Sequence, residues 1–297
     1  MKVVSKRLKD LFASKLMLVA TLFVIAVLVL IVFSLFKKSW PILTTKSLGE
    51  LFSWSWLPSQ GKFGLSPFIL GTLAVTAVAM VIAIPLSILT AIYIAEYAPR
   101  RVRGIIKPFI DLLAGIPSIV FGLFGLLVVV PFVGKLASLF GATSTGYSVL
   151  AGGIVLAMMV FPIMISISVE VFGTVPDNVK EASLALGATR WQMVKHVVVR
   201  SSLPGVIAAI ILGFGRAFGE TLAVMMVVGN SPVMPSLFGP AYPLTALIAN
   251  NYGEMMSVPL YESALMLAAF ILMIVSLLSI IAARVILRRV ERRYAVG

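Results

Sequence analysis

The sequence predicts an all-α, polytopic membrane protein with about six transmembrane helices, and three observations support this. Of 297 residues, 60% are hydrophobic and only 12% are charged, whereas charged residues make up about a quarter of soluble domains. The mean hydropathy is +1.10. The basic residues, which give a net charge of +13, lie in short clusters beside apolar runs, as membrane topology requires. We therefore expect a lipid environment and no nucleic-acid partner.

Six apolar stretches are each long enough to cross about 30 Å of hydrocarbon as a helix. They run over residues 16–36, 67–95, 108–132, 148–169, 204–228 and 259–287. The first follows a basic segment, as a signal peptide would, but it is too long and ends in Phe36-Lys37-Lys38 without a cleavage site. It is predicted to remain as an anchor.

The distribution of Lys and Arg predicts the orientation. Residues 2–15, 100–107, 180–200 and 284–293 hold 18 of the 24 basic residues, while the loops on the other side hold five. By the positive-inside rule, both termini are expected in the cytoplasm.

Three segments follow from this topology. Residues 1–66 hold the first helix and an outer loop with Trp40, Trp54 and Trp56 as interfacial anchors, 67–287 form the core, and 288–297 form a basic tail. Residues 229–258 contain four prolines and no Lys or Arg. This segment is predicted to be irregular, either as an outer loop or as a re-entrant element.

The longest inner loop, 170–203, is predicted to fold as two short helices joined by a turn. Asn178 followed by Glu181 suits a helix N-cap, and Gly187 can end that helix in the left-handed conformation. Thr189 with Gln192 repeats the capping pattern and starts the second helix.

Small side chains between these signals predict a docking surface. Ala182 and Ser183 follow Glu181 directly and would let a partner approach closely. The alternative is an ordinary amphipathic helix pair that lies in the membrane interface and binds no partner. We favour docking, with Glu181, Ala182, Ser183 and Gly187 as contact residues.

The fifth apolar stretch contains Arg216 and Glu220, which as part of one helix would lie on the same face. A charge in the middle of a membrane helix costs about 2.5–3.5 kcal/mol on insertion scales, so it usually faces a bundle interior or a water-filled path. Two interpretations remain open. Glu220 and Arg216 form a structural ion pair, or Arg216 binds an oxyanion through its planar guanidinium while Glu220 positions it.

Neighbouring residues bear on the path and on its gating. Gly213, Gly215 and Gly219 leave one side of this helix narrow enough for close packing or a passage. In the third stretch, Pro117 predicts a kink.

Several kinds of chemistry are excluded or unsupported. There is no cysteine, the single His196 has no partner residues for a metal site, and no G-x-x-x-x-G-K-[ST] motif is present. The sequence also lacks a nucleophile–base pair that would indicate an enzyme. We expect no catalytic residue, no bound metal and no nucleotide site.

Several motifs together resemble a known family. E-A-S-x-x-x-G at Glu181–Gly187 is similar to the EAA loop of ABC importer permeases. A-E-Y-A-P at Ala95–Pro99, L-A-G-I-P-S at Leu113–Ser118 and the run Gly215–Asn230 resemble the permeases of phosphate-specific ABC importers, in particular the C-type subunit. The resemblance covers helices two to five.

The resemblance implies an ABC importer type I (MetI-like) transmembrane domain in the inner membrane of a prokaryotic cell, which binds no cofactor itself. Its implied partners are an A-type second permease, two copies of an ATP-binding subunit that use ATP and Mg, and an extracytoplasmic phosphate-binding protein. It also implies that Arg216 and Glu220 line the phosphate path. A permease for another oxyanion and a stand-alone secondary anion carrier remain the alternatives.

Overall fold

The computed structural model describes the backbone of residues 2–254 and 257–295 and the side chains of 12–254, 257–285 and 288. The chain is mostly helical in these ranges, which confirms the all-α prediction. Five helices are long and apolar enough to cross a membrane, and a bent helix pair supplies a sixth candidate. The six predicted spans therefore each have a counterpart.

The helices, in chain order, begin and end as follows. They are α1 Lys2–Thr45, α2 Leu48–Leu51, α3 Ser66–Ile92, α4 Arg100–Ala114, α5 Ser118–Phe124, α6 Val130–Leu139, α7 Val149–Gly173, α8 Asp177–Ala185, α9 Arg190–Met193, α10 Val199–Ser201, α11 Leu203–Gly219, α12 Leu222–Met225, α13 Leu244–Asn251 and α14 Tyr261–Ala295. Three π-helical turns continue α3, α5 and α9, over Tyr93–Tyr97, Gly125–Val129 and Val194–Val198. The strands β1 (Trp56–Leu57) and β2 (Lys62–Phe63) form a small antiparallel hairpin.

The third predicted span, 108–132, is wrong at its start. Residues 100–114 form a separate amphipathic helix, α4, and the span itself runs over Ser118–Leu139. Proline has no amide hydrogen and disfavours the helical conformation of the residue before it, so the helix stops before Pro117. Pro117 is thus the N-cap of α5 and does not kink a continuous helix.

The core is built on α3 and α7, which pack most extensively against each other. Ala79 and Ala83 are fully buried in this contact, and a Cβ atom added to Gly153 would lie 2.3 Å from Val78 Cγ1. Small residues let two membrane helices approach closely and gain dispersion contacts. Helix α11 packs against α7 and also contacts α3.

Helix α1 is longer than the first predicted span and continues through Lys37 and Lys38 to Thr45. Its apolar part is exposed all round, whereas Ile42 near its end is fully buried. Of the three tryptophans predicted as interfacial anchors, Trp56 packs edge-on against Phe68 and so belongs to a core cluster. Trp40 and Trp54 are half-exposed.

The segment after α12 folds back onto the bundle. Ala241 pairs with Gly229, and the Leu244 amide donates to the Thr72 hydroxyl over 2.9 Å. Leu244 and Leu247 of α13 are fully buried. Of the segment predicted to be irregular, residues 229–243 are so, but α13 follows within it, and the segment packs over the ends of α3 and α7.

Candidate functional site

The inner loop forms the predicted pair of short helices, with one difference in capping. Helix α8 begins after Pro176, so Asn178 lies inside it and is not the N-cap. Proline already holds the extended conformation that an N-cap position requires. Gly187 has φ +87°, and Thr189 with Gln192 forms a complete capping box, which confirms the predicted turn.

The predicted docking residues face outward in most cases. Glu181, Ala182 and Gly187 are exposed, and Ser183 is half-buried. A Cβ atom added to Gly187 would meet nothing within 4 Å. A larger side chain there would strain the backbone, because φ is positive, and would project toward any bound partner, but it would not clash with this chain.

Two apolar side chains of the same surface were missed by the sequence reasoning. Leu186 is 89% exposed and Trp191 is 52% exposed, on either side of the turn at Gly187. Exposed apolar side chains of this size on a polar loop are candidates for contact with a partner. The signal in the sequence was a leucine directly before the predicted helix-ending glycine.

The inner side of the loop is tied to the end of α3 by a buried ion pair. Lys180 Nζ lies 2.8 Å from Glu96 Oε1, and the two side chains are only 15% and 6% exposed. Met193 and Val194 of the second loop helix join Ile94 in one apolar cluster. The loop is therefore held to the membrane helix by a charge pair and by packing.

Two arginines bind the main chain of the π turn Tyr93–Tyr97. Arg103 donates through Nε to the Ile94 carbonyl over 2.9 Å and through its guanidinium to the Ala95 carbonyl. Arg190 donates to the Glu96 carbonyl, and its guanidinium lies 4.7 Å above the Tyr97 ring. The A-E-Y-A-P motif thus forms the connection between α3, α4 and the loop.

The membrane site differs from its prediction. Helix α11 ends at Gly219, and Glu220 has an extended backbone (φ −72°, ψ 132°), so the expectation that Arg216 and Glu220 share one helical face is wrong. No ion pair joins them in the described ranges, where the carboxylate partners of the ion pairs belong to Lys180 and two other lysines. The structural ion pair is therefore not formed in this conformation.

Glu220 instead satisfies main-chain and hydroxyl donors at the break between α11 and α12. Its Oε1 accepts a hydrogen bond from the Ala223 amide over 3.2 Å, and its carbonyl accepts from the Thr245 hydroxyl over 3.0 Å. Together with Thr72 and Thr76 it lines a cavity of about 10 Å³, which is room for one water molecule. Irregular backbone at membrane depth persists where protein groups satisfy it in this way.

Arg216 lies on the open side of α11. It is exposed, lines a groove of about 760 Å³, and forms no hydrogen bond or ion pair with any side chain or carbonyl group in the described ranges. The predicted glycines divide between the two sides: a Cβ atom on Gly213 would lie 2.8 Å from Met164, whereas one on Gly219 would meet nothing within 4 Å. One side of the helix is packed and the other is open.

The loop and the membrane site belong to one continuous stretch of chain. The segment Arg190–Ser201 and the helix Leu203–Gly219 meet at an angle of 70°. Arg216 therefore lies on the helix that begins where the loop ends, so a displacement of the loop reaches it without an intervening flexible linker.

Comparison with known proteins identifies the family. Residues 83–295 match the family model described as binding-protein-dependent transport system inner membrane component. A solved structure of the MetNI methionine ABC transporter, facing inward, aligns with a TM-score of 0.56 over 76% of this chain and 95% of that one. At 19% identity this likeness shows the fold, which confirms the MetI-like expectation.

Curated relatives are more similar in sequence. A probable ABC transporter permease of Bacillus subtilis, YqgH, is 42% identical over 79% of this chain and 75% of its own length. The phosphate transport system permease protein PstC of Xylella fastidiosa is 38% identical over 96% of this chain and 92% of its own. The PstC protein of Mesorhizobium japonicum is 37% identical over 92% and 88%. The chain therefore belongs to the inner membrane components of binding-protein-dependent transport systems, the permease subunits of ABC importers.

Proposed function

We propose that this permease is the C-type subunit of an ATP-driven phosphate importer, and that Arg216 and Glu220 line the phosphate path. The relatives named as phosphate permeases align over nearly their whole length. The observation that carries the proposal is the guanidinium of Arg216, exposed on the open side of a membrane helix and without a partner in the described ranges.

The chemistry of that position favours an oxyanion. A cation at membrane depth is costly unless it faces an aqueous path or meets an anion. Guanidinium offers a planar pair of donors that matches two oxygens of a phosphate, which a lysine cannot reproduce. Glu220 supports the same site by closing the helix break next to Arg216 and by adding an acceptor to the small cavity behind it.

The assembly follows from the family and from the loop. Importer permeases work with an ATPase and a substrate-binding protein. We assign the surface of Glu181, Ala182, Ser183 and Gly187 to contact with an ATP-binding subunit, of which the complex would hold two copies that use ATP and Mg. An A-type second permease would complete the path, and an extracytoplasmic phosphate-binding protein would deliver the substrate. Both termini then lie in the cytoplasm, and this chain binds no cofactor or metal.

The test is transport by the complete complex in proteoliposomes, with wild-type protein and Arg216→Ala. We expect Arg216→Ala to abolish phosphate uptake while the complex still assembles, because the substitution removes a charge that supports no contact within the chain. Arg216→Lys is the matched control, which keeps the charge and loses the fork, and is expected to retain only a small part of the activity.

Competition by other oxyanions defines the substrate in the same vesicles. Inhibition by arsenate but not by sulfate or molybdate supports a phosphate path. Undiminished phosphate uptake by Arg216→Ala contradicts it, and uptake of another oxyanion in preference to phosphate assigns the permease to that anion. Uptake without the ATPase would identify a secondary carrier.

A further inference from the structure

The groove that contains Arg216 also holds two further arginines. It lies between α11 and α14 and is lined by Arg216, Arg284 and Arg288. Apolar side chains such as Ile207 and Ile211 form most of the remaining wall, as far as the structure describes it. Three positive charges therefore share one open groove of about 760 Å³, and none of the described side chains in its wall is acidic.

The three arginines are arranged along the groove. Ile280, Arg284 and Arg288 are spaced four residues apart on α14 and lie on one face of that helix. A Cβ atom on Gly215 would lie 4.0 Å from Ile280 Cδ1, which places Ile280 beside Arg216. At 1.5 Å per residue, Arg284 and Arg288 lie about 6 and 12 Å further along α14.

The direction of this row is toward the docking loop. Helices α11 and α14 are successive spans and so run in opposite directions, and α11 begins at Leu203, immediately after the loop. Moving along α14 from Ile280 to Arg288 therefore leads from Arg216 to the start of α11. The row connects the charge at membrane depth with the surface on which the loop lies.

Arginine–arginine spacing of this kind needs an explanation. Like charges four residues apart on a helix repel each other, and neither Arg284 nor Arg288 contacts an acceptor in the described ranges. Basic residues at an inner helix end also serve membrane orientation, but orientation does not require them to face the groove of Arg216. Their shared groove points to an anionic ligand.

We propose that Arg284 and Arg288 form an exit relay that binds the phosphoryl oxygens of the transported anion after it leaves Arg216. This rests on the proposed function, since it assigns the second half of the same path. The ligand class is a tetrahedral oxyanion, and guanidinium forks bind such oxygens in pairs. Successive sites of moderate affinity let an ion leave one site as it meets the next.

The experiment measures uptake of labelled phosphate by the complete complex carrying Arg284→Gln with Arg288→Gln. We expect uptake to fall about tenfold or more, because charge-assisted hydrogen bonds of about 1.5–3 kcal/mol are lost. The double lysine variant should recover part of this loss. Arg101→Gln is the matched control, since it removes an exposed charge on the same inner side, outside the groove, and should transport normally.

Two vesicle compositions distinguish free phosphate from a lipid headgroup, which offers the same oxygens. A loss of equal size with and without anionic lipid supports the relay. A loss that occurs only with anionic lipid overturns it and assigns the groove to a headgroup.

Normal uptake by the double glutamine variant also overturns the relay. If Arg216→Ala is inactive in that case, the proposed function stands without the relay. If Arg216→Ala transports as well, the phosphate path itself fails. Should the double glutamine variant fail to assemble, the single Arg288→Gln variant answers the question, because an unchanged uptake rate again contradicts the relay.

Discussion

The permease places charged side chains in two different environments, one in which the charge is paired and one in which it is not. At the docking loop, Lys180 and Glu96 are nearly buried and joined over 2.8 Å. In the membrane, Arg216 is exposed to a groove and is joined to no group of the described chain. The first charge has a buried partner within the fold, whereas the second has none among the described residues and faces an open groove.

The same contrast extends to the acidic residues of the two regions. Glu96 faces a lysine 84 residues away in the chain. Glu220, four residues from an arginine, accepts a main-chain hydrogen bond instead. Spacing in the sequence thus suggested Arg216 as the partner of Glu220, which the structure does not show. It gave no indication that Lys180 is the partner of Glu96.

The largest effect is expected at the closed pair. Lys180→Met should destabilise the contact between loop and α3 by about 3–5 kcal/mol, because it leaves Glu96 buried without its cation. Thermal unfolding of the purified complex measures this, and Arg216→Ala in the same assay should leave stability unchanged. Equal destabilisation by both variants would break the contrast between a structural and a ligand-binding charge. The exchange Lys180→Glu with Glu96→Lys should recover part of the loss.

The outer side of the loop should respond in binding and not in stability. Leu186→Ser is expected to weaken association with the ATPase by about 1.5–3 kcal/mol, the value of burying a leucine side chain, while the unfolding temperature stays constant. Titration of the ATPase onto the permease in nanodiscs checks this. Val81→Ser, at another exposed apolar position (74%) but within α3, is the matched control, and equal weakening there would argue against a docking role for Leu186.

The smallest effect separates the charge of Glu220 from its hydrogen bond. Glu220→Gln keeps an oxygen that can accept from the Ala223 amide, whereas Glu220→Ala loses it and should cost about 0.5–2 kcal/mol, as other helix caps do. If uptake falls equally in both variants while stability falls only in Glu220→Ala, the charge itself serves transport. Normal uptake by Glu220→Gln would restrict this residue to closing the helix break.

Sequence reasoning succeeded where the physics is local. Hydrophobic length gave the six spans, the left-handed conformation of Gly187 followed from its place after a short helix, and Thr189 with Gln192 formed the predicted capping box. Each depends on residues within one or two turns of helix. Arg216 was found for the same reason, because a cation within an apolar run is visible without any tertiary information.

It failed where a break hides inside an apolar run. The interruptions before Ser118 and after Gly219 carry too few polar residues to change a hydropathy average, so the first was predicted only as a kink at Pro117 and the second was not predicted. The second break is stabilised by Thr245, which comes from a distant part of the chain. Long-range partners of this kind, like Lys180 for Glu96, cannot be obtained from spacing.

The π turn at Tyr93–Tyr97 imposes a constraint of another sort. Arg103 and Arg190 donate hydrogen bonds to its carbonyl groups, and among its side chains only the Tyr97 ring, below the Arg190 guanidinium, adds a contact to them in the described residues. The contact therefore depends on the path of the backbone, and half-exposed Ala95 could be exchanged for other residues without removing an acceptor. In a mutational scan, we therefore expect substitutions of Ala95 to be tolerated and substitutions of the two arginines not to be. The donors of this interaction are specific side chains, whereas its acceptors are main-chain groups that every residue has.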